Sequence, residues 1–172
     1  MEGGFFVHIL DILFPKRCVG CGRFGRYICA SCSKLVIPIS PNECICPVCG
    51  KPAIAGATHP RCRARYTPDG LTSFFYYNDV VRKAIKTLKY RFVSDLASEL
   101  MAMVPMSSYE IRAVTGDPDG ILLPMPLHVF RMRHRGFNQS EILGKLVAGQ
   151  LRIRERGDIL GRTKETVPQA TM

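Results

Sequence analysis

The chain has 172 residues, 47% hydrophobic and 22% charged. That balance excludes a disordered polymer and fits one or two folded units. Lys and Arg number 24 against 14 Asp and Glu, a formal charge of +10, which favours an anionic partner such as a phosphate-bearing ligand, nucleic acid or an anionic membrane. Zinc on the cysteines would lower that total to about +7, since a four-thiolate site carries about −2 and a three-thiolate, one-histidine site about −1.

The first apolar run, GGFFVHILDILFP, is too short to span a bilayer and contains His8 and Asp11. No Lys or Arg precedes it and no small-residue cleavage site follows, so it does not read as a signal peptide. Phe5, Ile9, Ile12 and Leu13 share one helical face, which predicts a short amphipathic helix stopped by Pro15. Docking on the protein's own body is the expected role of that face, with a membrane surface as the alternative. No membrane span is expected, and the cytoplasm is the expected location.

All eight cysteines lie between positions 18 and 62. CVGC supplies Cys18 and Cys21, CASC supplies Cys29 and Cys32, CPVC supplies Cys46 and Cys49, and HPRC supplies His59 and Cys62. A CxxC turn lets two sulfurs reach one tetrahedral ion, and the glycines that follow, Gly22 and Gly50, suit such a knuckle. A disulfide framework belongs to an oxidising compartment, and without a convincing export signal it is not the expected reading. A redox motif needs one CxxC in a strand-helix unit, not a series.

Two structural Zn²⁺ sites are therefore expected. Sequential pairing would join Cys18, Cys21, Cys29 and Cys32, then Cys46, Cys49, His59 and Cys62; crossed pairing is the alternative. The gap between Cys21 and Cys29 suits a short hairpin and favours the sequential order. Cys44 is left over and competes for the second site. Four protein ligands per ion leave no open position for a substrate, so these ions replace a core that the segment lacks. Arg23, Arg26, Lys34, Lys51, Arg61, Arg63 and Arg65 surround the knuckles with Phe24 and Tyr27 among them. They either offset thiolate charge, the favoured reading, or grip single-stranded nucleic acid.

RARYTPDG reads as a linker, which predicts two parts: residues 1–66, an amphipathic helix and double zinc ribbon, and residues 67–172, an α/β part. Leu71 to Tyr77 is β-rich. Asn78 or Asp79 caps a helix in which Val81, Ile85 and Leu88 keep the apolar period. A second helix, about 93–104, buries Leu96, Leu100 and Met103. TGDPDG is a turn, and Ile121 to Leu123 reads as a strand buried on both faces, as in a parallel sheet, ended by Pro124 and Pro126.

Leu127 to Phe137 is expected to be a loop at that strand's C-terminal end, and Asn138 with Glu141 to start the next helix by a capping box. Ligands bind outside the C-terminal ends of strands in open α/β sheets, and helix N-termini offer free N–H groups to anions. Arg131, Arg133 and Arg135 add forked donors, and Gly136 permits close backbone approach. The stretch predicts a phosphate or pyrophosphate site, with a solvated basic loop as the alternative and His134 exposed.

LPMPLHVFRMRHRGFNQSEILGKLVA resembles the signature of the ComF family, competence-associated proteins with a double zinc ribbon and a type I phosphoribosyltransferase-like domain. FFYYNDVVRKAIKTLKYRFVSDLA resembles the segment before it, and LGRTKETVPQATM the stretch after it. The resemblance implies a small zinc-ribbon domain followed by α/β, with a partial type I phosphoribosyltransferase-like parallel sheet. It implies binding of phosphoribosyl pyrophosphate with Mg²⁺, and carries over Arg133, Arg135, Gly136, Asn138 and Gln139, with Lys86 and Lys89.

The family continues with a strand ending in an acidic pair and a Thr-Thr-Gly loop. No DDVxTTG stretch occurs in the 172 residues, so the sequence reads as a C-terminally truncated member. Phosphoribosyltransferase activity would then need the missing part supplied, and the catalytic residues stay unassigned. Single-stranded DNA, competence proteins or a phosphate-bearing small molecule are the partners expected. The alternative is a zinc-ribbon module that binds DNA or scaffolds partners without catalysis.

Overall fold

Cysteine spacing sets the N-terminal architecture, because each CxxC folds its neighbours into a tight hairpin. The computed structural model describes residues 15–90, 94–104 and 120–166. The expected N-terminal helix lies outside the described residues, as does most of the TGDPDG turn. In the first knuckle Arg17 bridges Phe24 antiparallel, Cys18 N–H donates to Arg23 O at 2.8 Å, and Gly22 N–H to Cys18 O at 2.8 Å. Gly22 holds φ 79°, a conformation open to glycine at no steric cost.

The second knuckle repeats the pattern. Ile45 bridges Pro52, Cys46 N–H donates to Lys51 O, Gly50 N–H to Cys46 O, and Gly50 holds φ 68°. The first lobe closes with helix α1 (Ala30–Ser33), and the second with short 3₁₀ turns at Pro41–Glu43, Ile54–Gly56 and Pro60–Cys62.

Leu71 to Tyr77 forms an extended segment rather than a regular strand. It joins the ribbon through the antiparallel bridge of Phe75 with Pro38, with Ile39 N–H donating to Phe74 O and Tyr76 N–H to Ile37 O, each at 3.0 Å. Pro38 has no N–H to offer, which limits the ladder there.

Helix α2 (Asp79–Tyr90) starts at Asn78, whose Oδ1 accepts from Val81 N–H at 3.1 Å. Val80, Val81, Ala84 and Leu88 are its buried stripe, with Ile85 packed at the margin. Helix α3 (Ser94–Met101) buries Leu96, Ala97 and Leu100. These side chains form one core with Cys18, Ile28, Cys29, Cys32 and Val36 of the first lobe. The core thus crosses the division expected at residues 66 and 67.

Strand β1 (Ile121–Leu122) pairs parallel with β2 (Arg154–Glu155), in the register Ile121–Arg154 and Leu122–Glu155. Between them lie α4 (Val129–Arg135) and α5 (Gln139–Leu151). Helix α5 packs on α3 and on β2. A Cβ at Gly144 would stand 3.0 Å from Leu122 Cδ2, so the missing side chain brings α5 close over the sheet.

Two expectations change here. Burial of β1 on both faces does not hold: Leu122 is half-buried but Ile121 is 52% exposed, because the described residues cover one face of the sheet. The loop expected over 127–137 contains helix α4. VFRMRHR has no internal breaker, and Gly136 at φ 75° ends the helix by donating to Met132 O at 2.7 Å.

Candidate metal centres and a basic helix

The eight predicted metal ligands come together in the sequential pairing. Cys18, Cys21, Cys29 and Cys32 present sulfurs within 4.8 Å of one another, and Cys46, Cys49, His59 and Cys62 do the same with three sulfurs and one ring nitrogen. A tetrahedral zinc with ~2.3 Å bonds separates its sulfurs by about 3.8 Å, and Cys21 and Cys29 sulfurs lie 3.7 Å apart. In the second site Cys49 Sγ is 3.4 Å from His59 Nδ1, close to the ~3.6 Å that Zn–S and Zn–N bonds impose. The donor sets and spacings fit structural Zn²⁺.

His59 is oriented for its role. Its Nε2 lies 3.1 Å from Pro52 O, and a carbonyl can only accept, so Nε2 carries the proton. The neutral ring then turns the Nδ1 lone pair to the sulfurs, with Pro52 O acting as the second partner that metal-bound histidines usually have. Cys44 stands outside both groups, its thiol donating to Ser40 O at 3.7 Å.

Without metal the thiols of each site ionise unequally. Burial pushes Cys18 up, but amides from Cys29, Cys21 and Gly20 outweigh it and bring the thiol down to about 6. Cys46 falls to about 6 likewise, its burial overcome by amides of His59, Cys49 and Val48. Burial and the neighbouring Cys18, Cys29 and Cys21 sulfurs push Cys32 up to about 12. Burial with Cys49 and Cys46 raises Cys62 to about 11. A divalent ion is what allows four such groups to share one space.

The first site is tied to the helices by groups that sequence reasoning missed. Glu99 of α3 accepts from Ile28 N–H at 2.8 Å and Tyr27 N–H at 3.4 Å, and Lys83 of α2 donates to Gly20 O at 3.2 Å. Lys16 pairs with Asp95 at 2.6 Å. These links join residues far apart in sequence, and no local pattern announces them.

Helix α4 rearranges the predicted anion site. Arg131 and Arg135 lie one turn apart, while Arg133 points about 200° round from Arg131. Arg131 donates to Thr166 O. Arg135 lies 5.2 Å above the Tyr90 ring and donates to Gln139 Oε1 at 3.2 Å. Arg133 and His134 are exposed.

Asn138 caps α5 by accepting from Ser140 N–H at 3.0 Å and donates to Met125 O at 3.1 Å. Glu141 pairs with Lys145 at 2.9 Å, which leaves the capping box half made. Amides of Met132, Gly136, Ser140, Glu141 and Ile142 all serve protein acceptors, so donors toward an anion here are mainly side chains. Lys86 lies one turn before Tyr90 on α2, placing it on the face that meets Arg135; Lys89 is half-buried on the same helix.

Residues 9–64 match the family described as double zinc ribbon domain. The DNA utilization protein YhgH of Escherichia coli O6:H1 is 31% identical over 156 residues, 86% of this chain and 64% of that protein. The Shigella flexneri YhgH is 30% identical over the same shares. Competence protein ComFC of Bacillus subtilis is 29% identical over 133 residues, 69% of this chain and 50% of that protein. These likenesses support assignment of the chain to the ComF family. The chain spans between half and two thirds of the length of these relatives. No solved structure matches it significantly, and no helix among the described residues is long and apolar enough to cross a membrane.

Proposed function

We propose that this ComF chain recognises a phosphoribosyl pyrophosphate-type ligand at the junction of α2, α4 and α5, in a process that handles incoming DNA in the cytoplasm. Its similarity to a DNA utilization protein and a competence protein motivates the process. One observation carries the ligand reading. Tyr90, Arg135 and Gln139 meet where α2 runs past the start of α5, and Lys86 lies one turn away. Guanidinium and ammonium groups suit a diphosphate, which would bring Mg²⁺ with it.

Gly136, Asn138 and Lys89 belong to the same proposed surface, whereas Arg133 lies on the other side of α4 from Arg135. The fold would be the first part of a type I phosphoribosyltransferase-like sheet, with residues 1–66 and 67–172 as sequence units sharing one core. Binding, rather than turnover, is the property to measure. Calorimetry with the phosphoribosyl donor and Mg²⁺ should give saturable binding that Arg135→Ala weakens about tenfold or more. Equal heats for both proteins would end this reading.

A second reading has its own support. Arg17 stacks 4.2 Å above the Phe24 ring, which is 59% exposed, and Arg65 lies 5.3 Å from the ring of Tyr66, 87% exposed. Such rings can stack on unpaired bases. Oligothymidylate binding that weakens steeply with salt and drops with Phe24→Ala would favour a DNA-binding or partner-scaffolding module. A flat salt response would count against it.

A further inference from the structure

The two knuckles share their backbone geometry but not their surroundings. In the first site Cys21 is exposed, but Cys18, Cys29 and Cys32 are 3%, 8% and 6% exposed. They belong to the same core as Val80, Val81, Ala84, Leu96 and Leu100. In the second site Cys46 is fully buried, but Cys49 is exposed, and His59 and Cys62 are half-buried. Between residues 40 and 70, all of them described, Cys46 is the sole buried apolar side chain besides backbone glycine. Ile45, Val48 and Ile54 face solvent. The second lobe therefore has no apolar core to hold it once its ion leaves.

The second site also opens to solvent. A cavity of about 430 Å³ is lined by Cys49, Lys51, His59, Pro60, Arg61 and Cys62. Two cations at its rim draw anionic reagents toward the exposed thiolate. Oxidation of cysteine follows thiolate character and access, and zinc keeps both sites as thiolates. Each site offers one exposed sulfur, Cys21 or Cys49, but the sulfurs that could pair with Cys21 are locked in the apolar core, whereas Cys62 beside Cys49 is half-buried and outside it, and that difference decides between the sites.

We propose that the second zinc site is a peroxide-sensitive, reversibly released site, and that the first is a permanent staple. The chemistry balances with a peroxide as oxidant. Cys49 thiolate attacks one peroxide oxygen, forming a sulfenic acid and releasing hydroxide. Cys62 thiolate displaces the second hydroxide from that sulfur and closes a Cys49–Cys62 disulfide. Two thiolates lose two electrons, and one hydrogen peroxide becomes two hydroxides. Zn²⁺ is left with Cys46 and His59, too few ligands to hold it. The two sulfurs start within 4.8 Å of each other, against the ~2.05 Å of a disulfide. Cys46 is the less accessible partner because it is wholly buried.

The test uses the full chain loaded with zinc. Hydrogen peroxide is added while released zinc is followed with a chromogenic chelator, and cysteines are mapped by differential alkylation and mass spectrometry. The account expects one zinc per chain to leave at least about tenfold faster than the other, with a Cys49–Cys62 disulfide and the four first-site cysteines protected. Far-UV helix signal should persist through this phase. Thiol reductant with added zinc should restore the original count. In the double variant Lys51→Ala, Arg61→Ala, which keeps every ligand, attack by the anionic reagent dithiobis-nitrobenzoate should slow while attack by neutral peroxide stays nearly unchanged. Release of both ions at one rate, or first oxidation at Cys18, Cys21, Cys29 or Cys32, would overturn the proposal.

Discussion

Gly20 stands where no side chain fits: a Cβ there would lie 2.6 Å from Cys32 Sγ and 3.2 Å from its Cβ. The sulfur it would strike is held by its siblings and by the core, so the strain cannot be shed by rotating one bond. Gly20→Ala should lower stability by about 1–3 kcal/mol and weaken zinc at the first site before the second. A thermal melt with zinc counted per chain reads both, and an unchanged midpoint with two ions retained would contradict this. Proton uptake is a second matter decided at single residues. Near neutral pH Cys18 and Cys46, at about 6, are largely thiolate, whereas Cys32 and Cys62, at about 12 and 11, hold their protons. Zinc must expel a proton from each of the latter pair, so affinity rises with pH, by about a decade per pH unit for each proton released. Calorimetry in buffers of differing ionisation enthalpy should find at least one proton released per ion; none would mean that these thiols are not ligands.

Between elements, the joint of ribbon and helices rests on Glu99. Its carboxylate accepts two part-buried ribbon amides. Glu99→Ala should cost about 1–3 kcal/mol, with Glu99→Gln recovering part of it, as measured by denaturant unfolding. Equal stability of all three proteins would show that water replaces the carboxylate. The knuckles were legible in the sequence because ligand spacing is local: Cys18 to Cys32 and Cys46 to Cys62 each close within a few turns of chain. Helix α2 was legible from its apolar period and its Asn78 cap. Helix α4 was not, since arginines and flanking prolines suggested a loop while the αL position of Gly136 is equally the signature of a helix end. The Phe75–Pro38 bridge and the β1–β2 pair depend on residues over 30 positions apart, beyond the reach of pattern. The Arg135–Gln139 contact falls within the stretch that the sequence singled out, whereas Tyr90 beneath the guanidinium carries no local signal, and the expected seat of backbone amides is taken up by protein acceptors.

Across the whole molecule, zinc takes the place of apolar mass. The described core is narrow, running from Cys18 through α2 and α3 to the inner face of α5, and two regions of the described residues lie outside it. One is the second lobe, which depends on its ion. In the other, Ile121, Leu123 and Met125 stand exposed along β1 and the segment after it, and parallel strands are ordinarily covered on both faces. The formal charge of +10, about +7 with both zinc ions bound, favours anionic partners.

The measurement closest to the centre of this account is zinc content with X-ray absorption at the zinc edge on the purified chain. The account predicts two zinc ions per chain, and an averaged shell of about 3.5 sulfurs and 0.5 nitrogen at ~2.3 and ~2.0 Å, from seven cysteines and one histidine over two sites. A single ion, or a shell of four sulfurs with Cys44 in place of His59, would contradict it.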